Sequence, residues 1–112
     1  MAGSSTIARG NVILTTVLQV NLTPAAVAGN TTAEQSFTVP GLITGDQVSA
    51  FLFQGAYANA DVSYVNARVA SNNTLTIAFQ NGSGGSLTPQ AGNYYLEVNR
   101  IENLQAIPNA IV

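Results

Sequence analysis

Residues 62–80 read VSYVNARVASNNTLTIAFQ, and this stretch decides the fold class. In its first half Val65, Ala67 and Val69 fall on one face, with Asn66 and Arg68 on the other. In its second half Leu75, Ile77 and Phe79 form the apolar set. A period of two marks a strand with one buried face. Ser71-Asn72-Asn73 supplies a tight turn between the halves, because asparagine tolerates the left-handed backbone region. The whole stretch reads as a β-hairpin.

Working outward, the same pattern recurs. Residues 93–101 place Tyr94, Leu96 and Val98 inward and Glu97 and Asn99 outward. Residues 32–39 place Phe37 and Val39 inward and Ser36 and Thr38 outward. Residues 11–21 form a long strand whose even positions (Val12, Leu14, Leu18, Val20) are apolar apart from Thr16. Residues 47–54 are the most apolar run, with Val48, Ala50 and Leu52 on one face and Phe51 and Phe53 on the other. Apolar residues on both faces predict cover on both sides, by the domain itself and by a neighbour. Pro40-Gly41 and Gly45-Asp46 are turn pairs, residues 55–61 form a loop, and the glycine-rich residues 81–90 form a flexible loop. Long runs of helical periodicity do not occur. The expectation is an all-β chain, an antiparallel β-sandwich of about seven or eight short strands, with the jelly roll among its arrangements. Residues 1–10 read as a flexible arm and 11–101 as the sandwich. Residues 102–112, broken by Pro108, read as a tail or an edge strand.

The 112 residues suffice for one domain. Only 7% of them are charged, against about 25% in ordinary soluble domains. The basic residues are Arg9, Arg68 and Arg100; the acids are Glu34, Asp46, Asp61, Glu97 and Glu102. Three scattered arginines do not neutralise a run of phosphates, so nucleic acid is not an expected partner. No stretch reaches the apolar length of a membrane helix, so no membrane role is expected. Arg9, the apolar run 12–18 and Ala26-Val27-Ala28 imitate a signal peptide, but Thr15, Thr16, Gln19 and Asn21 interrupt the run and suit a strand better.

The same composition limits chemistry. Without His, Cys or Lys, Ser–His–Asp, Cys–His and Schiff-base mechanisms cannot be assembled within the chain. Neither a disulfide nor a zinc site is available, and no cofactor is expected. Asp46 and Asp61 are the one carboxylate pair in loop-like segments, the minimum for a glycoside-cleaving site; the alternative is turn chemistry. Asp61 and Asn59 are candidate calcium ligands with backbone carbonyls. Residues 81–85 lack the spacing of a phosphate loop. Asn-x-Ser/Thr triplets begin at Asn21, Asn30, Asn72 and Asn81, as expected by chance in a chain so rich in Asn and Thr. Most aromatics alternate as core residues. Tyr57 and Tyr95 are the candidates for an exposed patch, and a protein interface is their first assignment, because Tyr is enriched there. Phe51, Phe53, Ile107 and Ile111 complete the candidate interface set. Strand edges lack the lysines that protect monomeric β-proteins, so cover by another copy or another protein is expected.

The run Phe37-Thr38-Val39-Pro40-Gly41-Leu42 with Gly45-Asp46, the run Ala67-Arg68-Val69, the run Asn73 to Phe79 with Asn81, and the run Gly92-Asn93-Tyr94-Tyr95-Leu96-Glu97-Val98 carry a resemblance. Across residues 35–101 the chain resembles the small β-rich cement or decoration proteins on the capsids of tailed bacteriophages. That resemblance implies a sandwich or jelly roll, a homo-oligomer (trimer or dimer), and the major capsid protein as partner. It implies a place on the outer capsid surface of the virion, where neighbouring shell subunits are locked together, and no catalytic residue. The alternative reading is a receptor- or carbohydrate-binding module of a phage fibre or bacterial surface protein, carried by Tyr57, Tyr95 and the 81–90 loop.

Overall fold

A computed structural model describes residues 10–53 and 59–110, with the backbone alone for residues 49–53. Six strands follow in chain order: β1 Val12–Leu22, β2 Thr31–Thr38, β3 Gln47–Phe53, β4 Val62–Ser71, β5 Thr74–Asn81 and β6 Gly92–Ile101. They form two antiparallel three-stranded sheets, ordered β1-β6-β3 and β2-β5-β4. Each of β1→β2, β2→β3, β3→β4 and β5→β6 passes from one sheet to the other; β4→β5 is the hairpin. Six strands in two antiparallel sheets with repeated crossings between them are the architecture of a β-sandwich.

The expected alternation builds the core. Leu75, Ile77 and Phe79 of the central strand β5 face Tyr94, Leu96 and Val98 of the central strand β6, all essentially buried. Val39, Leu42, Val62 and Val69 close around them. The Tyr94 hydroxyl, at the start of β6, donates to the Gln90 carbonyl four residues upstream. Such a tyrosine satisfies its one polar atom at a sandwich corner while burying its ring. Thr76 and Ala78 lie on the outer face of β5 and are nevertheless buried. Arg68 of β4 reaches Glu34 of β2 across them, with N···O distances of 2.8 and 2.9 Å.

Three strands depart from strict alternation, and each does so at a β-bulge. In β1 the register shifts between Val12, opposite Ile101, and Leu14, opposite Arg100. Val12, expected inward, is exposed. In β4 the shift lies between Tyr64 and Asn66. Val65, expected inward, is the extra residue and stands 54% exposed. In β3 the shift lies between Val48 and Ala50. Backbone positions 48, 51 and 53 therefore pair with Val98, Leu96 and Tyr94, and positions 50 and 52 with Glu97 and Tyr95. The expected division, Val48 with Ala50 and Leu52 against Phe51 with Phe53, assumed no such break.

Residues 102–110 contain no strand; Leu104–Ala106 is a short 3-10 turn capped by the Asn103 side chain.

Candidate docking end

The loop between β2 and β3 ties the two sheets together at one end of the sandwich. Gly41 and Gly45 adopt φ of +95° and +93°, which the Pro-Gly and Gly-Asp turns require. Asn73, at φ +60° in the β4–β5 turn, accepts from Gly41 N through its side chain at 2.9 Å, and Asn72 accepts from Thr44 N at 3.0 Å. Those bonds fix the loop to the β4–β5 sheet. On the other sheet, Arg100 of β6 forms a two-pronged pair with Asp46, at 2.9 and 2.8 Å, and donates to the Gly41 carbonyl at 2.9 Å. The Asp46 carboxylate also accepts from Ile43 N at 3.0 Å, and its side chain has no solvent exposure. The Arg100 hydrogen bonds, with the Ile43 N–H, hold the Asp46 carboxyl below its ordinary range against the opposing effect of burial.

Asp46 is therefore a buttress. Asp61 lies at the far end, where its carbonyl accepts from Gly82 N. Asp46 neighbours Gly45, bonded to Val69, whereas Asp61 precedes Val62. Val62 and Val69 are separated by about 23 Å of strand, far beyond the roughly 5–10 Å span of a glycosidase carboxylate pair. The two acids do not share a cleft. At the same far end Asn59 Nδ2 donates to the Thr88 carbonyl at 2.9 Å. No group of three or more His, Cys, Asp or Glu residues gathers to hold a metal among the described residues.

The 81–90 loop, expected to be flexible, is organised around Asn81, which the sequence offered as a glycosylation triplet and part of the resemblance and not as the centre of a loop. Its buried amide donates to the carbonyls of Val27 and Gly85 at 2.9 and 2.8 Å. Its oxygen accepts from the backbone N–H and hydroxyl of Ser83 at 2.9 and 2.8 Å. Val27 and Leu87 then form an isolated antiparallel bridge. A glycan on buried Asn81 is sterically excluded. An Asn ending a strand and followed by Gly-Ser was the available signal.

Exposed apolar residues concentrate at the Asp46 end and along β1. Val12, Ile13, Leu14 and Val17 stand exposed on β1, Ile43 on the bridging loop, and Leu104 and Ile107 beyond β6. Among the described residues only Tyr64 and Val65 are further exposed large apolar side chains. The end is one neighbourhood: Leu14 pairs with Arg100, Arg100 holds Asp46, and Leu104 lies over Gly45, where an added Cβ would come within 2.3 Å of Leu104 Cδ1. The described chain enters and leaves at this end, with Glu102 N donating to the Asn11 carbonyl.

Of the candidate interface residues, Ile107 is in this neighbourhood and 53% exposed. Tyr95 is not. It sits mid-strand in β6 between Gln19 and Leu52, partly buried on the outer face of its sheet. Tyr57 and Ile111 lie outside the described residues, as do the side chains of Phe51 and Phe53; their backbone positions face Leu96 and Tyr94 in the register. No helix among the described residues is long and apolar enough to cross a membrane. Comparisons with protein-family models, curated proteins and solved structures found no match to the chain.

Proposed function

We propose that this chain is a structural virion protein of a tailed bacteriophage, bound to the outer capsid surface through its Asp46 end, where it cements neighbouring major capsid protein subunits. One observation supports this most: an apolar, nearly uncharged end at which the described chain enters and leaves. Ile13 (61% exposed), Ile43, Leu104 and Ile107 present apolar surface there; of the local charges Asp46 and Arg100 neutralise each other, and Glu102 stands exposed beside them. Apolar patches on a surface otherwise covered by Asn, Thr, Ser and Gln mark contact with protein. The resemblance of residues 35–101 to decoration proteins points the same way.

The mechanism is passive. Each contact removes apolar area from water, worth about 25 cal/mol per Å² before ordering costs. A copy that touches two shell subunits makes their separation cost both contacts, and repetition over the shell multiplies the effect. The test is mass spectrometry of purified virions together with add-back to shells stripped of the protein. Stoichiometric incorporation, and add-back that raises the shell's disruption temperature, are expected. Absence from virions, or binding to glycans in place of shells, overturns the proposal.

A further inference from the structure

The geometry points to the outer edge of β1 as a docking site for a second copy of this chain, pairing antiparallel with its own β1 about a two-fold axis at Thr16. This goes beyond the docking end, because it concerns contact between copies and needs no shell.

Four strand edges are available. β2 and β4 are charged, and their Glu34–Arg68 pair spans the sheet. β4 also carries two register shifts, and the one in β3 breaks the strand inside its seven residues, whereas the one in β1 lies at its first residues. Shifts and inward or paired charges are the usual protection of an edge. β1 has neither charge nor proline in VILTTVLQVNL, and its register is unbroken from Leu14 to Leu22. No described strand pairs its outer side. Val17 is 64% exposed upon it.

The sandwich is also open beside this edge. Near the β1–β2 connection the Gln35 side chain closes the flank by bonding both N and O of Ala25, at 2.7 and 2.8 Å. Further along, an open cavity of about 160 Å³ remains, lined on the β1 side by Leu14, Thr16 and Leu18 and on the other by Pro40 and Leu42. A strand laid on the β1 edge extends the sheet over that opening.

A second copy fits because the segment complements itself. In an antiparallel pair opposite residues share a face, so a two-fold axis that keeps the two groove faces together must pass through a residue. Centring on Thr16 sets Leu14 against Leu18 of the second copy on the groove face, twice. Centring on Thr15 or Val17 sets a leucine against a threonine instead. No like charges meet, since the strand has none. Centred on Thr16, residues 12–20 pair, a span of about 31 Å, and a sheet layer is about 10 Å deep, so the edge covers roughly 310 Å² per copy. Stable dimers bury about 800 Å² per partner. The dimer is accordingly concentration-dependent, with a dissociation constant in the micromolar range or weaker.

Sedimentation of the isolated full chain, without shells, tests the proposal up to about 1 mM. Because the chain has no cysteine, single thiols report the register cleanly. Paired positions place Cα atoms about 4.5–5.5 Å apart, within disulfide span. Oxidised Thr16→Cys is expected to run as a covalent dimer, and Gln19→Cys, far from its symmetry mate in this pairing, as a monomer. Val17→Glu is expected to weaken the dimer at least tenfold with an unchanged circular dichroism spectrum. A chain that stays monomeric throughout, or a dimer that Thr16→Cys does not cross-link, overturns the proposal. Shell binding is read separately, so failure there leaves this result intact and the reverse.

Discussion

Asp46 and Arg100 meet where a buried carboxylate, a backbone N–H and a partly exposed guanidinium leave no charge unanswered. Removing one partner leaves the other in a site built for a pair, though Arg100 is near enough to water to recover part of its hydration. Asp46→Asn is therefore expected to cost roughly 2–3 kcal/mol at neutral pH, below the roughly 3–5 kcal/mol of a fully buried broken pair. The pH dependence has a definite sign. The Asp46 carboxyl is held below its ordinary range in the fold, so its stabilisation is complete above that range and disappears as pH falls through the folded value. The gap between wild type and Asp46→Asn in urea denaturation should be full at pH 7 and close in strong acid. Glu34 is also held low by Arg68, but that pair is half exposed and exposed pairs contribute little. Asn81 acts by hydrogen bonding alone. Asn81→Ala takes one of two donors from each of the Val27 and Gly85 carbonyls, which keep Leu87 N and Ser83 Oγ, and leaves the Ser83 N–H without its acceptor. It should cost about 2–3 kcal/mol, with hydrogen exchange at Val27 and Leu87 accelerating before the rest of the sheet.

Strands are where sequence and structure part company most instructively. Alternation alone places Leu75, Ile77 and Phe79 against Tyr94, Leu96 and Val98, and Asn72-Asn73 fixes the hairpin, because periodicity and turn chemistry are local properties. β-Bulges leave no such trace. Val12 and Val65 look like core residues, yet Val65 is itself the extra residue of a bulge and Val12 lies just before one, so each leaves the face that Ala67 and Val69, or Leu18 and Val20, keep. Partnerships such as Asp46 with Arg100, 54 residues apart, are equally invisible, since they depend on which strands become neighbours. The residues that carried the resemblance, Pro40-Gly41 and Gly45-Asp46 with Asn73, turn out to hold the bridging loop, so their pattern speaks first to the fold. The bulge in β4 makes a direct prediction. Val65→Asn should change stability by less than about 0.5 kcal/mol, as an exposed substitution does. Val69→Asn, four residues on and buried, should cost several kcal/mol, at least about 2 from the unsatisfied amide alone. Equal costs measured by chemical denaturation would restore strict alternation and remove the bulge.

At the scale of the whole molecule, two of the three arginines pair with acids of their own chain, Arg68 with Glu34 at the surface and Arg100 with buried Asp46. Little remains for long-range attraction, and contact with any partner must come from apolar and neutral polar surface at short range. Ionic strength discriminates between the two modes. Raising salt from about 0.1 M to 1 M shortens the screening length from about 10 Å to about 3 Å, which weakens charge-driven association steeply and leaves apolar contacts intact or slightly stronger. Binding to stripped shells should therefore change by less than about twofold over that range. A Leu104→Asp, Ile107→Asp double variant alters two exposed positions, so it should fold normally yet bind at least about tenfold more weakly, the equivalent of 1.4 kcal/mol. Release of the wild-type chain by salt alone would place the contact on charges elsewhere. Unimpaired binding by the double variant would move the docking surface away from the Asp46 end.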